Sequence, residues 1–490
     1  MIDRISSGQP SIDEILGGGL PSPAINLIAG APGSGKTMLA QQYAFHNGTI
    51  ERPALYLATT SEPLDKLVRY GQQLSFFDPS RVGSSVLYDS LLEPLTSNGL
   101  QGVIERVIEL LRDVRPGVIV FDSIKSFRAF SPDENAHRQF MSELAGRLSA
   151  APAATFWVGE YGTKELTDSV EAAVADAIIT LGTIHDGQRT LRQFRVEKLR
   201  GSSFLSGEHS YRLGEDGLRA YPRLADPLDG DATRPSTERV SLGSAPLDRL
   251  FGGGVWAGTS TLVIGPSGVG KTMLALDFAA AGAGAGLTTV FATLQESVAQ
   301  LTRVVAGGEW AGMKDRVVIH RRSPVDMYID EWVHDVLATV ERTGAKLLVI
   351  DSLSDLRIAS PDETRFEEYV YSLGQRCSRV ETTVLMTLET RPPFAFAGMI
   401  GTALSHIADN ILLIGYHVDG SEVRRAIHVL KSRGSAHDQG IYEFTVANNG
   451  LRLGDRIDLD LGLPQRALSP TDAYSPRLGV KEPTAVPEAR

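Results

Sequence analysis

Short runs of apolar, β-branched and aromatic residues alternate along the chain with longer amphipathic stretches. In the first half the apolar runs are INLIAG, ALYLATT, GVIVFDS, ATFWVGE and AIITLG, and amphipathic stretches such as LQGVIERVIELLRDV separate them. Short apolar runs are typical of buried strands, and their alternation with helical stretches is typical of a mostly parallel sheet flanked by helices. The pattern predicts an α/β fold, with the ligand at the carboxyl ends of the strands.

The same pattern is present twice. RISSGQPSIDEILGGGL begins at Arg4 and RVSLGSAPLDRLFGGGV begins at Arg239, an offset of 235 residues that persists through GAPGSGKTMLA and GPSGVGKTMLA. Further along, VIVFDSIKSFRAFSPDE matches LLVIDSLSDLRIASPDE, and EKLRGSS matches LKSRGSA. Five separate blocks keep their order, which excludes chance resemblance between glycine-rich loops. The repeat predicts two domains of one fold.

The domain boundaries follow from the repeat and from proline content. We predict a first domain over 1–221, a linker over 222–238, a second domain over 239–460 and a disordered tail over 461–490. The linker sequence, PRLADPLDGDATRPSTE, contains three prolines and almost no aliphatic periodicity, as expected of a connector. The tail is also rich in proline, which is typical of a disordered segment.

Composition and charge restrict the class of protein. Hydrophobic residues make up 42% and charged residues 22% of the 490 residues, which is globular composition. The formal charge of −11 opposes a nucleic-acid backbone. The single cysteine, Cys377, cannot form an intramolecular disulfide and is interpreted as a buried core thiol in a reducing compartment. No uncharged apolar run reaches the ~18 residues of a spanning helix, so we expect a soluble cytoplasmic protein without a membrane anchor.

Both repeats carry a glycine loop between an apolar run and a helical run. GAPGSGKT occupies residues 30–37 and GPSGVGKT occupies residues 265–272, which is the phosphate-loop motif in its strand, loop and helix context. Glycines allow backbone N–H groups to wrap a phosphate chain, the lysine reaches the β- and γ-phosphates, and the threonine hydroxyl binds Mg²⁺. A structural glycine turn is the alternative. The predicted ATP contacts are Gly30, Gly33, Ser34, Gly35, Lys36 and Thr37, and Gly265, Ser267, Gly268, Gly270, Lys271 and Thr272.

An aspartate ends one apolar run in each repeat. Asp122 follows VIVF and Asp351 follows LLVI, where a strand would deliver a carboxylate to Mg²⁺ beside the loop threonine. The predicted magnesium residues are therefore Thr37, Asp122, Thr272 and Asp351. Because a serine follows each aspartate, a helix cap is the alternative interpretation.

The tandem GxxGxGKT loops, the Asp-Ser after an apolar strand and a C-terminal Lys-x-Arg-Gly-Ser together resemble the KaiC family of tandem RecA-like ATPases, over about residues 1–460. The resemblance implies two-tiered hexamers that bind ATP between subunits and hydrolyse it, with autophosphorylation in the second domain. It also implies that Lys198 and Arg200, and Lys431 and Arg433, reach the γ-phosphate held by the neighbouring subunit. A basic pair on the surface at a strand end is the alternative.

The strand after the phosphate loop departs from the family pattern, in which it ends in two glutamates, the first serving as a base. The second repeat has Gln295 and Glu296, and the first has Thr60 and Ser61 opposite them, followed by Glu62. Loss of a general base costs ~10²–10⁴-fold, so slow turnover is predicted. Glu296 is the better candidate base and Glu62 a substitute, and a solvated surface acid is the alternative for each.

Three further residues are candidates by position. Glu160 and Glu389 end strands and either sense the γ-phosphate through a water or are simple strand-end charges. Ser405 corresponds to one of two adjacent phosphorylated residues of the family, and His406 replaces the other. Autophosphorylation at Ser405 alone is therefore a hypothesis, with a capping or strand-end serine as the alternative. The tail does not resemble a segment that binds a clock regulator, so timekeeping is not predicted.

The predicted function is a slow, ATP-driven homohexameric switch whose state is read by an unidentified signalling protein. One alternative is a RecA-like DNA-dependent ATPase in recombination or repair, which needs basic loops facing a channel. The segments SFRAFSPDENAHRQF and DLRIASPDETRFEEY together contain more acids than bases, which disfavours nucleic acid as a partner. A serine/threonine autokinase or protein kinase that uses the same ATP sites is a third interpretation.

Overall fold

The computed structural model describes residues 3–59, 64–186, 189–224, 236–306, 315–325, 327–360, 363–390, 407–447 and 450–458. Within these ranges each half of the chain is a twisted sheet with helices on both faces, which confirms the predicted tandem α/β architecture. The tail predicted over 461–490 lies outside the described residues, as do 225–235 of the predicted linker. The domain boundaries stay predictions.

The first half contains strands β1 to β11 and helices α1 to α7. The strands are β1 (Asp3–Ile5), β2 (Leu20–Ser22), β3 (Ala24–Gly30), β4 (Ala54–Ala58), β5 (Val86–Ser90), β6 (Val118–Asp122), β7 (Ala154–Gly159), β8 (Ala177–Asp186), β9 (Arg189–Leu199), β10 (Glu208–Gly214) and β11 (Gly217–Tyr221). The helices are α1 (Pro10–Ile15), α2 (Lys36–Asn47), α3 (Leu64–Gly71), α4 (Leu92–Val114), α5 (Glu134–Ser149), α6 (Thr163–Asp168) and α7 (Val170–Val174), with 3₁₀ turns at Pro79–Arg81 and Ile124–Phe130.

The second half repeats the order of the strands. Its strands are β12 (Arg239–Val240), β13 (Val255–Trp256), β14 (Ser260–Gly265), β15 (Thr289–Thr293), β16 (Val317–Arg321), β17 (Leu347–Asp351), β18 (Thr383–Glu389), β19 (Asn410–Asp419), β20 (Glu422–Ser432), β21 (Ile441–Ala447) and β22 (Gly450–Ile457). Its helices are α8 (Ala245–Leu250), α9 (Lys271–Gly284), α10 (Val298–Ala306), α11 (Ile329–Thr343), α12 (Leu353–Ile358) and α13 (Glu363–Arg379).

The two large sheets have the same strand order. It is β11-β10-β9-β8-β3-β7-β6-β4-β5 in the first half, and β22-β21-β20-β19-β14-β18-β17-β15-β16 in the second. The six strands from β8 to β5 run parallel, whereas β9, β10 and β11 extend the sheet as antiparallel strands. Parallel strands have all their carboxyl ends at the same end of the sheet. The phosphate loop after β3 therefore lies beside the carboxyl ends of β6 and β7.

Both faces of each sheet are covered, because side chains alternate along a strand. On β3, Ile28 packs into the core beneath α2, while Leu27 packs into the core on the opposite face with Trp157. On β14, Ile264 and Val263 divide in the same way between two cores. Two-sided burial explains why these strands are continuous apolar runs in the sequence. Cys377 is fully buried as expected, and burial raises the pKa of its thiol to about 12.

The halves contact each other through β10 and β11 on one side and α11 and α13 on the other. Asp330 at the start of α11 is fully buried, and the Ser210 backbone N–H donates to its carboxylate at 3.0 Å. The Arg212 guanidinium lies 2.9 Å from the Glu331 carboxylate. Leu224, just after β11, is buried in a core of the second half. Among the described residues no helix has the length and apolarity needed to cross a bilayer.

Candidate functional site

Each phosphate loop joins the central parallel strand to the helix behind it. The first loop connects β3 to α2 and the second connects β14 to α9. Gly35 adopts φ 92°, and a Cβ there would lie 2.6 Å from a methyl carbon of Leu213. Gly270 adopts φ 119°, and a Cβ there would lie 2.9 Å from Val446. Both the left-handed backbone and the close packing require glycine, so each loop is held against the antiparallel part of its sheet.

The two loop lysines are buried and point into their own loops. Lys36 donates from Nζ to the carbonyl oxygen of Ala31 at 2.8 Å. Lys271 donates to the carbonyl oxygens of Gly265 at 3.0 Å and Pro266 at 2.7 Å. Desolvation lowers the pKa of both ammonium groups, and nearby carboxylates oppose that shift. A buried cation held by carbonyl dipoles is arranged to gain more from an entering anion than an exposed one.

The threonine after each lysine is bonded to the aspartate at the end of a neighbouring strand. Thr37 Oγ1 donates to Asp122 Oδ2 at 2.8 Å, and Thr272 Oγ1 donates to Asp351 Oδ2 at 2.7 Å. The serine after Asp122 makes no side-chain cap hydrogen bond. A hydroxyl and a carboxylate side by side at a phosphate loop are oxygen donors of the kind Mg²⁺ prefers, so these residues fit that ion.

A cavity of about 910 Å³ opens beside the first phosphate loop. Lys36 and Thr37 line one part of it, Tyr70 and Leu74 of the α3 region line another, and Glu160 completes the wall. The Lys36 ammonium lies 3.9 Å from the Glu160 carboxylate. Small-molecule sites have volumes of ~300–1,000 Å³, so the cavity is large enough for a nucleotide.

The strand-end candidates of the second half lie at the carboxyl ends of β15 and β18, the end of the sheet that also carries the phosphate loop. Gln295, exposed beyond the end of β15, donates from Nε2 to the Asp355 carboxylate at 2.6 Å. Half-buried Glu296 donates from its backbone N–H to Thr293 Oγ1 at 3.2 Å. Glu389 ends β18, beside Lys271, whose charge it stabilises. The first-half counterparts at residues 60–62, including Glu62, lie outside the described residues, and so does Ser405.

The Lys-x-Arg pairs lie near the amino ends of the parallel strands, at the opposite end of each sheet from the phosphate loop. Lys198 pairs with Ile178 near the start of β8, whereas Gly30 of the phosphate loop pairs with Leu181. The Lys198 ammonium donates to the Ala172 carbonyl oxygen at 3.2 Å. Within one chain, Lys198 is therefore separated from its own phosphate loop.

The remaining members of the two basic pairs are bonded in the same way in both halves. Arg200 lies 3.4 Å from the Asp176 carboxylate, and Arg433 lies 3.5 Å from the Asp409 carboxylate. Lys431 donates to the Ala408 carbonyl oxygen at 2.7 Å. The repeated arrangement places a cation pair at the amino end of the sheet in each half.

One contact to the first phosphate loop was missed from the sequence. Tyr211 of β10 is fully buried, and its hydroxyl donates to the Ser34 carbonyl oxygen at 2.7 Å. Arg192 of β9 donates to the Gly33 carbonyl oxygen at 3.0 Å. Phe444 occupies the place of Tyr211 in the second repeat. This difference between aligned copies was the available signal.

Tyr211→Phe is expected to weaken ATP binding at the first loop about fivefold, because it removes one hydrogen bond worth ~1 kcal/mol and leaves a loop carbonyl unpaired. Calorimetry on the full chain carrying Lys271→Ala isolates this site. The same substitution combined with Lys36→Ala is the control, where affinity at the second loop should not change. Equal affinity with and without the Tyr211 hydroxyl in the Lys271→Ala protein would contradict the expectation.

Comparison with known proteins covers both halves. A family model described as the KaiC ATPase matches residues 5–225 and again residues 240–456. This chain belongs to the KaiC ATPase family. The two matches confirm the resemblance inferred from the tandem loops, and each contains one phosphate loop. Family membership establishes a nucleotide-binding ATPase with two tandem RecA-like domains.

Curated relatives align along almost the entire chain. The circadian clock oscillator protein KaiC of Picosynechococcus sp. is 27% identical over 471 residues, which cover 93% of this chain and 90% of that protein. Circadian clock oscillator protein KaiC 1 of Synechocystis sp. is 26% identical over 472 residues, covering 93% and 89%. KaiC of Prochlorococcus marinus is 26% identical over 489 residues, covering 96% and 95%. The similarity is therefore to whole KaiC proteins.

Proposed function

We propose that this KaiC-family chain is a slow ATPase that assembles into a homohexamer, with ATP and Mg²⁺ bound between subunits, and acts in the cytoplasm as a switch read by a signalling protein. One observation carries the proposal. In each half, a lysine and a threonine–aspartate pair lie at the carboxyl ends of the parallel strands, and a pair of cations lies at their amino ends. A site that uses all of these groups needs two subunits.

The chain's own residues have distinct roles in this proposal. The loop amides and glycines cradle the phosphates, and Lys36 and Lys271 neutralise the β- and γ-phosphates. Thr37 with Asp122, and Thr272 with Asp351, would hold Mg²⁺, which orients the triphosphate and neutralises developing charge. From a neighbouring subunit, the transition-state charge would be stabilised by Lys198, Arg200, Lys431 and Arg433.

The proposed turnover is slow because the second half has Gln295 where a base would stand. A glutamine orients water but does not accept a proton. Glu296 is the candidate base of the second half, since its backbone is held beside Thr293 at the end of β15. Glu62 is the candidate of the first half.

Serine autophosphorylation at Ser405 is a further part of the proposal. It uses the second ATP site with a hydroxyl in place of water as acceptor. Mass spectrometry after incubation with Mg-ATP should show a phosphorylated peptide containing Ser405. An unmodified peptide after full turnover would end this part of the proposal, and would leave ATP hydrolysis unaffected.

Nucleotide-dependent assembly tests the main proposal. Light scattering with Mg-ATP should show about six times the 52.8 kDa mass of one chain, and phosphate release should be slow. Lys36→Ala and Lys271→Ala, measured separately, should show which half controls assembly. If wild type and both variants have the same mass with and without Mg-ATP, the proposal that bound nucleotide drives assembly is wrong.

A further inference from the structure

The second half holds a buried carboxylate against the glutamine that replaces the strand-end acid. Asp355, in the first turn of α12, is 5% exposed. Its Oδ1 accepts from Gln295 Nε2 at 2.6 Å, and its Oδ2 accepts from the Ser352 hydroxyl at 2.5 Å. Both carboxylate oxygens are thereby fixed, and the Asp355 side chain has a defined position.

Gln295 and Asp355 lie just beyond the carboxyl ends of β15 and β17, at the same end of the sheet as the phosphate loop. Thr293, the last residue of β15, is in register with Asp351 of β17, and the Leu294 N–H donates to the Asp351 carbonyl oxygen at 3.2 Å. Asp351 in turn accepts the Thr272 hydroxyl. Gln295 is therefore one residue beyond a direct contact with the aspartate of the proposed magnesium site.

The chemistry of the two groups fixes how the amide is oriented. An ionised carboxylate only accepts hydrogen bonds, so the Gln295 NH₂ group must face Asp355. The Gln295 carbonyl oxygen then points away from Asp355 and is left to accept a hydrogen bond. Without Asp355 the amide could rotate by 180° and present its NH₂ group instead.

We propose that Asp355 is a positioning residue for ATP hydrolysis in the second half, and that it orients Gln295 so that the amide oxygen holds the attacking water. The proposal rests on the function proposed above. The water oxygen bonds to the γ-phosphorus, the bond from that phosphorus to the β–γ bridging oxygen breaks, and its electron pair leaves with ADP. The water proton passes to the carboxylate of Glu296, the candidate base of this half, since Gln295 accepts a hydrogen bond and no proton.

The sequence of the first half contains neither residue of this pair at the aligned positions. Ser126 stands where the repeat places Asp355, and Thr60 stands where it places Gln295. The backbone N–H of Ser126 donates to the Ser123 carbonyl oxygen within a 3₁₀ turn. Orientation of water by a carboxylate-held glutamine is thus confined to the second half, which gives an internal control.

Asp355→Ala is expected to lower kcat of the second half about ten- to hundredfold, the range for a hydrogen bond to a charged group, with KM and ADP affinity changed less than twofold. The effect should persist in the Lys36→Ala background and be absent in the Lys271→Ala background. Phosphate release and fluorescent ADP binding are measured on the full chain, and thermal unfolding checks that α12 stays folded.

Gln295→Glu separates positioning from a merely structural role. A glutamate at this position needs no partner to set its orientation, so Asp355→Ala should not slow the Gln295→Glu protein and should relieve repulsion between two carboxylates. If Asp355→Ala lowers kcat equally in wild type and in the Gln295→Glu protein, the proposal is overturned, as it is by an unchanged kcat in Asp355→Ala alone. If wild type neither binds nor hydrolyses ATP, the function proposed above fails instead.

Discussion

Lys271→Ala is expected to weaken ATP binding at the second loop about a hundredfold or more, and Lys36→Ala should do the same at the first. The buried ammonium of each lysine is held by loop carbonyl oxygens, and charge-assisted hydrogen bonds to phosphate are among the strongest in proteins. Calorimetry on the wild-type chain should resolve two ATP sites, and on each variant one.

The pH dependence of binding gives a second readout. Burial lowers the pKa of Lys271 in the free protein, and a triphosphate would raise it again, so binding takes up a proton above the lowered pKa. Affinity should therefore fall at alkaline pH in wild type and lose this dependence at the mutated loop. Lys346→Ala, which removes an exposed ammonium bonded to the Val380 carbonyl oxygen, is the matched control. Two intact sites in Lys271→Ala would refute the role of the lysine.

Arg365→Ala should destabilise the chain by about 3–5 kcal/mol, because it leaves a buried carboxylate without its counter-charge. Asp330 is fully buried between the halves, and its Oδ2 lies 3.0 Å from Arg365 Nη2. Arg365 also donates to the Glu208 carbonyl oxygen at 2.9 Å. Urea unfolding followed by circular dichroism measures the loss.

The sign of the pH effect distinguishes this cause from lost packing. Desolvation raises the pKa of Asp330 above its ordinary value even with Arg365 present, so the folded state binds the proton more tightly than the unfolded state. The contribution of Asp330 to the free energy of unfolding therefore falls as the pH rises from its ordinary pKa through its raised pKa in the folded state. The Arg365→Ala penalty should therefore shrink at acid pH. Arg365→Ala in an Asp330→Asn background should cost much less at neutral pH, and an equal loss there would contradict a charge origin.

The strands and loops could be predicted because their signals are local. INLIAG and VIVFD are apolar at nearly every position, since both faces of β3 and β6 are covered. The glycine at 35 is required by its own backbone angle and by Leu213. The extension of the sheet by antiparallel strands was missed, because β9 and β10 are only partly buried and lack a continuous apolar run.

The contacts that define the site in detail could not be predicted, because their partners are far apart in sequence. Tyr211 and Ser34 are separated by 177 residues, and Gln295 and Asp355 by 60 residues. No spacing rule connects a tyrosine in the antiparallel strand β10 with a carbonyl in the phosphate loop. The departure from two glutamates at Gln295 was visible in the sequence, whereas the carboxylate that accompanies it was visible only in the fold.

Strand β10 has a double attachment with a mechanical consequence. Tyr211 donates a hydrogen bond to the first phosphate loop. Its neighbour Ser210 donates to Asp330 of α11, and its other neighbour Arg212 forms an ion pair with Glu331 of the same helix. Adjacent side chains of a strand point in opposite directions, so this segment of β10 is bonded to the phosphate loop on one face and to α11 on the other. A rotation of the second half relative to the first would therefore displace β10 and, through Tyr211, the first phosphate loop. Conversely, a ligand that orders this loop would make the contact between β10 and α11 more rigid.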